Sequence, residues 1–315
     1  MVRLVKTLLP ALLLPLVLSC QGDGLQQAPG YLQFTVPEAL TKGSPQAVMY
    51  GLFSCWGYVY EDEPSTPTYL CGEPFVRVGG DTFRSSGLHT GIPEGYRLRF
   101  WALAPVDAAG LGELPSASSP WPPAFRMRVP SSPGDQMDVV AALSGVYEGS
   151  SGGAYALMFR HLMSCVQFRT SVSGVPECRV EWIEVSGVKE EGVYTEGSGW
   201  SAQASSAAYR VSSGRNLTAA SNDILLHDRD DSLMLIPQLL GTDALLRVGL
   251  DIGGTRVQRT ASLEGLELEE GCLHVIRLSI PATGSLSLEI SVAPWLSGPG
   301  FTEKSGIPEG TPLAR

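Results

Sequence analysis

Short segments of alternating apolar and polar residues recur from position 31 to position 292, and no segment holds a helical period for a dozen residues. Leu32, Phe34 and Val36 share one face of a first strand, Gln33 and Thr35 the other, and Pro37 ends it. In the 48–60 segment Trp56, Tyr58 and Tyr60 have one parity. Segments 69–78 and 81–84 form a hairpin around Gly79-Gly80. Tyr96, Leu98, Phe100 and Ala102 alternate with Arg97 and Arg99, the pattern of a half-buried strand. Segments 124–129 and 138–143 follow a Pro/Ser-rich loop at 110–123. After 178–185, the stretch 190–209 reads as a polar loop. Strands return at 233–238, 244–252, 273–280 and 285–292, where Leu286, Leu288, Ile290 and Val292 oppose Ser285, Ser287, Glu289 and Ser291. The pattern predicts an all-β chain of two antiparallel β-sandwich domains in tandem.

One stretch breaks the rule. In 154–168, Leu157 and Phe159 lie on odd positions, Val166 and Phe168 on even ones. A period of two cannot serve both pairs on one face, so a bulge or break is expected between positions 162 and 164. The preceding run Gly149-Ser150-Ser151-Gly152-Gly153 then reads as a joint. The predicted division is residues 31–148, a linker at 149–153, a second domain at 154–300 and a tail at 301–315.

Composition sharpens this picture. With 36 Gly and 23 Pro but a normal apolar fraction of 43%, the chain has many turns and enough apolar residues for real cores. Its start has a different character. Arg3 and Lys6 precede an apolar run from 8 to 18, as in a signal peptide, here residues 1–19. The run ends Val17-Leu18-Ser19-Cys20, which resembles the lipobox of bacterial lipoproteins, so Cys20 is the expected lipidation site and 20–30 a tether. Removing Arg3 and Lys6 takes the formal charge from −10 to −12, which argues against a nucleic-acid partner.

Five cysteines remain. Cys55 and Cys71 flank an acidic turn, Cys165 and Cys178 another turn, and each pair is a candidate disulfide between neighbouring strands. Catalytic candidates are weak. Gly149–Gly153 has the form Gly-x-Ser-x-Gly, but a strand follows it where a nucleophile elbow needs a helix. Asp228, Asp230 and Ser232 are spaced like a calcium loop, yet Leu233 and Leu239 stand where Gly and Glu are required. His161 with Cys165, and Cys272 with His274, would make a composite metal site only if their strands were neighbours. No metal, cofactor or enzymatic activity is expected, and the histidines read as packed core residues.

Several segments, in order, resemble the fimbrillin family, the two-domain subunits of type V pili in Bacteroidota. The 157–168 run carries Phe159-Arg160-His161 and then Ser164-Cys165-Val166-Gln167-Phe168, similar to the start of that family's second domain. Asp138-Val139-Val140-Ala141-Ala142 resembles the end of its first domain. Phe100–Pro105, Gly192-Val193-Tyr194, Ile236-Pro237-Gln238 and Val292-Ala293-Pro294-Trp295 are similar to further family segments. The resemblance spans about residues 31–295.

It implies transthyretin-like sandwiches, lipid anchoring in the outer membrane, and assembly with other fimbrial subunits by strand exchange, with adhesion to a host or bacterial surface receptor. In that scheme a protease frees the first strand and a neighbour's strand replaces it. The family usually cuts at Arg, whereas Lys42 is the only basic residue between Cys20 and Arg77, so either a Lys-cleaving protease cuts at Lys42 or nothing cuts and the protein stays lipidated as an anchor or a non-polymerising relative. The tail offers only Phe301, Ile307 and Leu313 as apolar anchors, a poor donor strand. The alternative function is an outer-membrane surface lipoprotein that binds glycan or another ligand without polymerising; among the tryptophans, Trp121 is the best candidate for exposure.

Overall fold

The computed structural model describes residues 30–36, 52–149, 155–170, 177–202, 205–228, 231–280 and 285–295. The strands of the first half are β1 (Gly30–Thr35), β2 (Leu52–Tyr60), β3 (Leu70–Gly79), β4 (Thr82–His89), β5 (Arg97–Ala104), β6 (Ala124–Arg128), β7 (Val140–Leu143) and β8 (Tyr147–Glu148). Next come β9 (Tyr155–Ala156), β10 (Arg160–His161), β11 (Ser164–Thr170), β12 (Cys178–Lys189), β13 (Glu191–Thr195), β14 (Gly199–Ala202) and β15 (Ser206–Leu217). The last are β16 (Leu233–Leu235), β17 (Gln238–Leu239), β18 (Leu245–Ile252), β19 (Thr255–Ser262), β20 (Glu267–Leu268), β21 (Cys272–Ser279) and β22 (Ser287–Pro294).

All strands of the first half but β6 join β9 and β10 in one large sheet, in the order β10-β7-β5-β2-β3-β4-β1-β9, with β8 added to β5. The sheet curls, because Phe34 of β1 meets Phe100 of β5 although three strands separate them in that order. Inside the curl lies an aromatic-rich core of Leu32, Phe34, Phe53, Phe75, Phe83 and Phe100, joined by Leu157 and Phe159. The second half is a sandwich of two four-stranded sheets, β16-β11-β21-β22 and β15-β12-β18-β19. Most pairings are antiparallel; β11–β21 and β1–β9 are parallel.

The second core reaches back into the first half. Trp56, Tyr58, Trp101, Leu103, Phe125 and Met127 cluster with Phe168, Val180, Tyr194 and Leu246. β5 therefore buries both faces from Phe100 to Ala104, where the alternating pattern predicts a half-buried strand. β6 pairs with β13 over five positions, from Ala124↔Thr195 to Arg128↔Glu191, so the two halves also share a ladder.

The stretch expected as a polar loop at 190–209 instead holds β13, β14 and the start of β15. The cause is packing against the first half: Gly192 and Tyr194 turn inward opposite Met127 and Phe125 while Glu191 pairs with Arg126 at the surface. The irregular 154–168 stretch does break at Leu162-Met163, between β10 and β11. Leu157 and Phe159 enter the aromatic core, and Leu162, Val166 and Phe168 the second one. The parity change is where the chain passes from one core to the other.

Candidate functional site

β1 is extended because Leu32, Phe34 and Val36 present one apolar face at a period of two. All three are buried, while Tyr31 and Gln33 face solvent. Phe34 is fully enclosed. Its ring centroid is 4.8 Å from Phe100 and 4.9 Å from Phe75, both edge-on, and 5.9 Å from Phe53 and 5.8 Å from Tyr155. Edge-to-face contacts of this kind contribute about 0.5–1.5 kcal/mol each beyond their buried area.

The backbone of β1 is held on two sides. It pairs antiparallel with β4, through Gln33↔Arg84, Phe34↔Phe83 and Thr35↔Thr82, with an irregularity between Tyr31 and Gln33. At that irregularity the Leu32 amide donates to Ser85 Oγ at 3.0 Å. The Val36 amide donates to the Asp81 carbonyl at 2.8 Å. On the other side β9 gives only two parallel pairs, Phe34↔Tyr155 and Thr35↔Ala156, and the Leu157 amide donates to the Thr35 carbonyl at 3.1 Å. β1 is thus a narrow apolar strand seated in an aromatic slot near one margin of its sheet.

The sequence-predicted residues fall as follows. Cys20 and Lys42 lie outside the described residues, as do Ser150, Ser151 and the tail beyond Trp295. The expected disulfides are absent: Cys55, Cys71, Cys165, Cys178 and Cys272 are all free thiols. Cys55 is buried in the aromatic core, whereas Cys71, opposite Trp56 across a bulge, is exposed. Cys165 lies in β11 of one sheet and Cys178 begins β12 of the facing sheet, so they are not strand neighbours. Burial pushes the Cys55 and Cys165 thiols up, with Glu73 and Asp138 respectively adding to the shift.

The histidines are taken up by structural contacts. β11 and β21 are indeed neighbours, with Val166 opposite His274, but among the described residues no three His, Cys, Asp or Glu side chains converge as a metal site. His161 Nδ1 lies 2.6 Å from Asp138 Oδ2, and its ring stacks on Trp295 at 4.1 Å. Burial pushes the Asp138 carboxyl up, against the opposing pull of His161.

The tryptophans form no common platform. Trp56 and Trp101 are buried, Trp121 packs edge-on against Tyr58, and Trp200 donates to the Leu162 carbonyl. Trp182 lies flat on Gly249, where a Cβ would come within 2.3 Å of the indole, and Arg210 covers its ring at 4.1 Å.

Sequence reasoning singled out β1 but not the walls of its slot. Phe53, Phe75, Phe83 and Phe100 sit on four strands, and only the repeated aromatic at an inward position of each hinted at a shared pocket.

A family model described as fimbrillin-like matches residues 76–295, more than two thirds of the chain. No curated protein sequence matches. Among solved structures, a candidate cell adhesion protein of Bacteroides ovatus superposes with a TM-score of 0.59 at 13% identity, covering 85% of this chain and 98% of its own. A second, from Bacteroides uniformis, gives 0.51 at 10% identity, with the same two coverages. At such identities the likeness is one of fold.

Proposed function

The chain belongs to the fimbrillin-like family, and from that premise we propose that it is a cell-surface fimbrial subunit whose first strand is exchanged for a strand of a neighbouring subunit. The observation that carries this reading is β1 itself. A single apolar triplet, Leu32-Phe34-Val36, fills an aromatic slot and is secured by one full ladder and one two-residue ladder. Removing it would open a row of unpaired main-chain groups beside an apolar floor, which an incoming strand would satisfy.

In this reading the signal peptide is removed, Cys20 is acylated and holds the protein at the outer membrane, and a Lys-directed protease cuts after Lys42. The first strand then leaves with its lipid tether. The subunit enters the filament in an accessory position and contributes to adhesion.

N-terminal sequencing of protein recovered from filaments tests the scheme. A start at Gly43 is expected. An acylated Cys20 on every filament-borne molecule would overturn it.

A further inference from the structure

The slot around β1 reads more than a generic strand, because its positions are unequal. The central position, held by Phe34, is walled by four aromatic rings, and Phe53, Phe75 and Phe100 are themselves buried to within 1% of complete enclosure. Walls packed this tightly do not collapse onto a smaller side chain. The two flanking inward positions, Leu32 and Val36, hold branched aliphatic side chains. The outward positions make weaker demands: Gln33 is exposed and Thr35 half-buried.

Direction is set as well. The resident strand runs antiparallel to β4, and a strand run the other way would have to replace that ladder with a parallel one.

Residues 296–315 do not meet this pattern. Phe301 is flanked two residues away by Pro299 and Glu303, Ile307 by Ser305 and Glu309, and Leu313 by Thr311 and Arg315. A second copy offering 296–315 would place a charge, a polar group or a proline at both flanking positions of Phe301, Ile307 or Leu313, at the cost of burying it.

We infer that the slot takes a strand that presents an aromatic residue with a branched aliphatic residue two positions to either side, which residues 296–315 of a second copy do not. The inference rests on the strand-exchange reading and adds the chemistry of the incoming strand: Phe34 marks the specificity-determining position.

The test uses the full chain with Lys189→Arg and Lys304→Arg, nicked after Lys42 by lysyl endopeptidase, the cut being confirmed by mass spectrometry. Three fluorescent peptides are offered: residues 30–36, the same peptide with Phe34→Ala, and residues 296–315. Exchange is read by anisotropy and by release of the resident fragment. The 30–36 peptide should enter, the Phe34→Ala peptide should bind about a hundredfold more weakly or worse, as for Phe-to-Ala changes in a packed core, and 296–315 should not exchange. A Phe34→Ala peptide that binds within threefold of the parent overturns the aromatic code. Entry of 296–315 on a par with 30–36 overturns the exclusion of that segment. If no peptide enters the nicked protein, strand exchange itself fails, and the inference with it.

Discussion

The indole Nε1 of Trp101 donates a hydrogen bond to Glu196 Oε2 at 3.1 Å, across 95 residues and from the first half of the chain to the second. The same carboxylate accepts from Tyr194 Oη at 3.2 Å and from Arg160 at 2.8 Å, and the Glu196 amide donates to the Pro123 carbonyl. With Glu196 buried, every donor it loses leaves charge without compensation. Trp101→Phe should therefore cost about 2–3 kcal/mol. Urea unfolding would show it as a lower midpoint at unchanged slope. A loss below about 0.5 kcal/mol would mean that the carboxylate does not join the halves.

Phe34 and Tyr31 make a contrasting pair on one strand. Phe34 is enclosed, whereas Tyr31 is half exposed, with Arg84 over its ring. Phe34→Ala should destabilise the uncut protein by about 3–5 kcal/mol, and Tyr31→Ser by about 0.5 kcal/mol or less. Equal losses at the two positions in thermal or denaturant unfolding would contradict the slot.

His227 makes stability depend on pH. Its Nδ1 lies 2.7 Å from the Asp228 carbonyl, and its Nε2 accepts from the Phe168 amide at 3.2 Å, a pattern that needs a neutral ring with the proton on Nδ1. Burial holds the His227 pKa below its ordinary value. The unfolded chain then takes up a proton near pH ~6.5 that the folded chain refuses, so this contribution is full above ~6.5 and is lost as pH falls through that value toward the folded pKa, at up to about 1.4 kcal/mol per pH unit. His274 shifts the same way through burial. His227→Gln should flatten the decline in unfolding free energy between pH 7.5 and 5.5. An unchanged slope would show that the ring is charged in the folded state.

The free cysteines predict a graded reactivity. Cys71 is exposed, while Cys55 and Cys165 are buried with thiol pKa values pushed up. A thiol reagent should modify Cys71 in the native protein and leave Cys55 and Cys165 until the chain unfolds. Reductant should not move the melting temperature, and a fall of several degrees on reduction would reveal a disulfide.

Much of the fold was legible in the chain because alternation is a local property. The strands at 30–35, 70–79, 97–104, 124–128 and 272–279 follow from residues that are neighbours in sequence, and so does the break at Leu162-Met163. β1 stood out as an apolar triplet before its surroundings were known. What alternation cannot carry is the identity of the surface on the other side of each residue. β5 reads as half-buried until the second core is found covering Trp101 and Leu103. β13 reads as loop until β6 lies beside it. Cys55 and Cys71 read as a bridge until one is found in the core and the other at the surface. The aromatic slot is the sharpest case: the curl of the sheet brings Phe75 and Phe100 onto Phe34 although neither of their strands pairs with β1. The sequence by itself determined the inward face of the alternating strands, such as Leu32, Phe34 and Val36 of β1. Only the tertiary structure decided against what they are buried, because that depends on sheet curvature and long-range register, set by packing the whole chain at once.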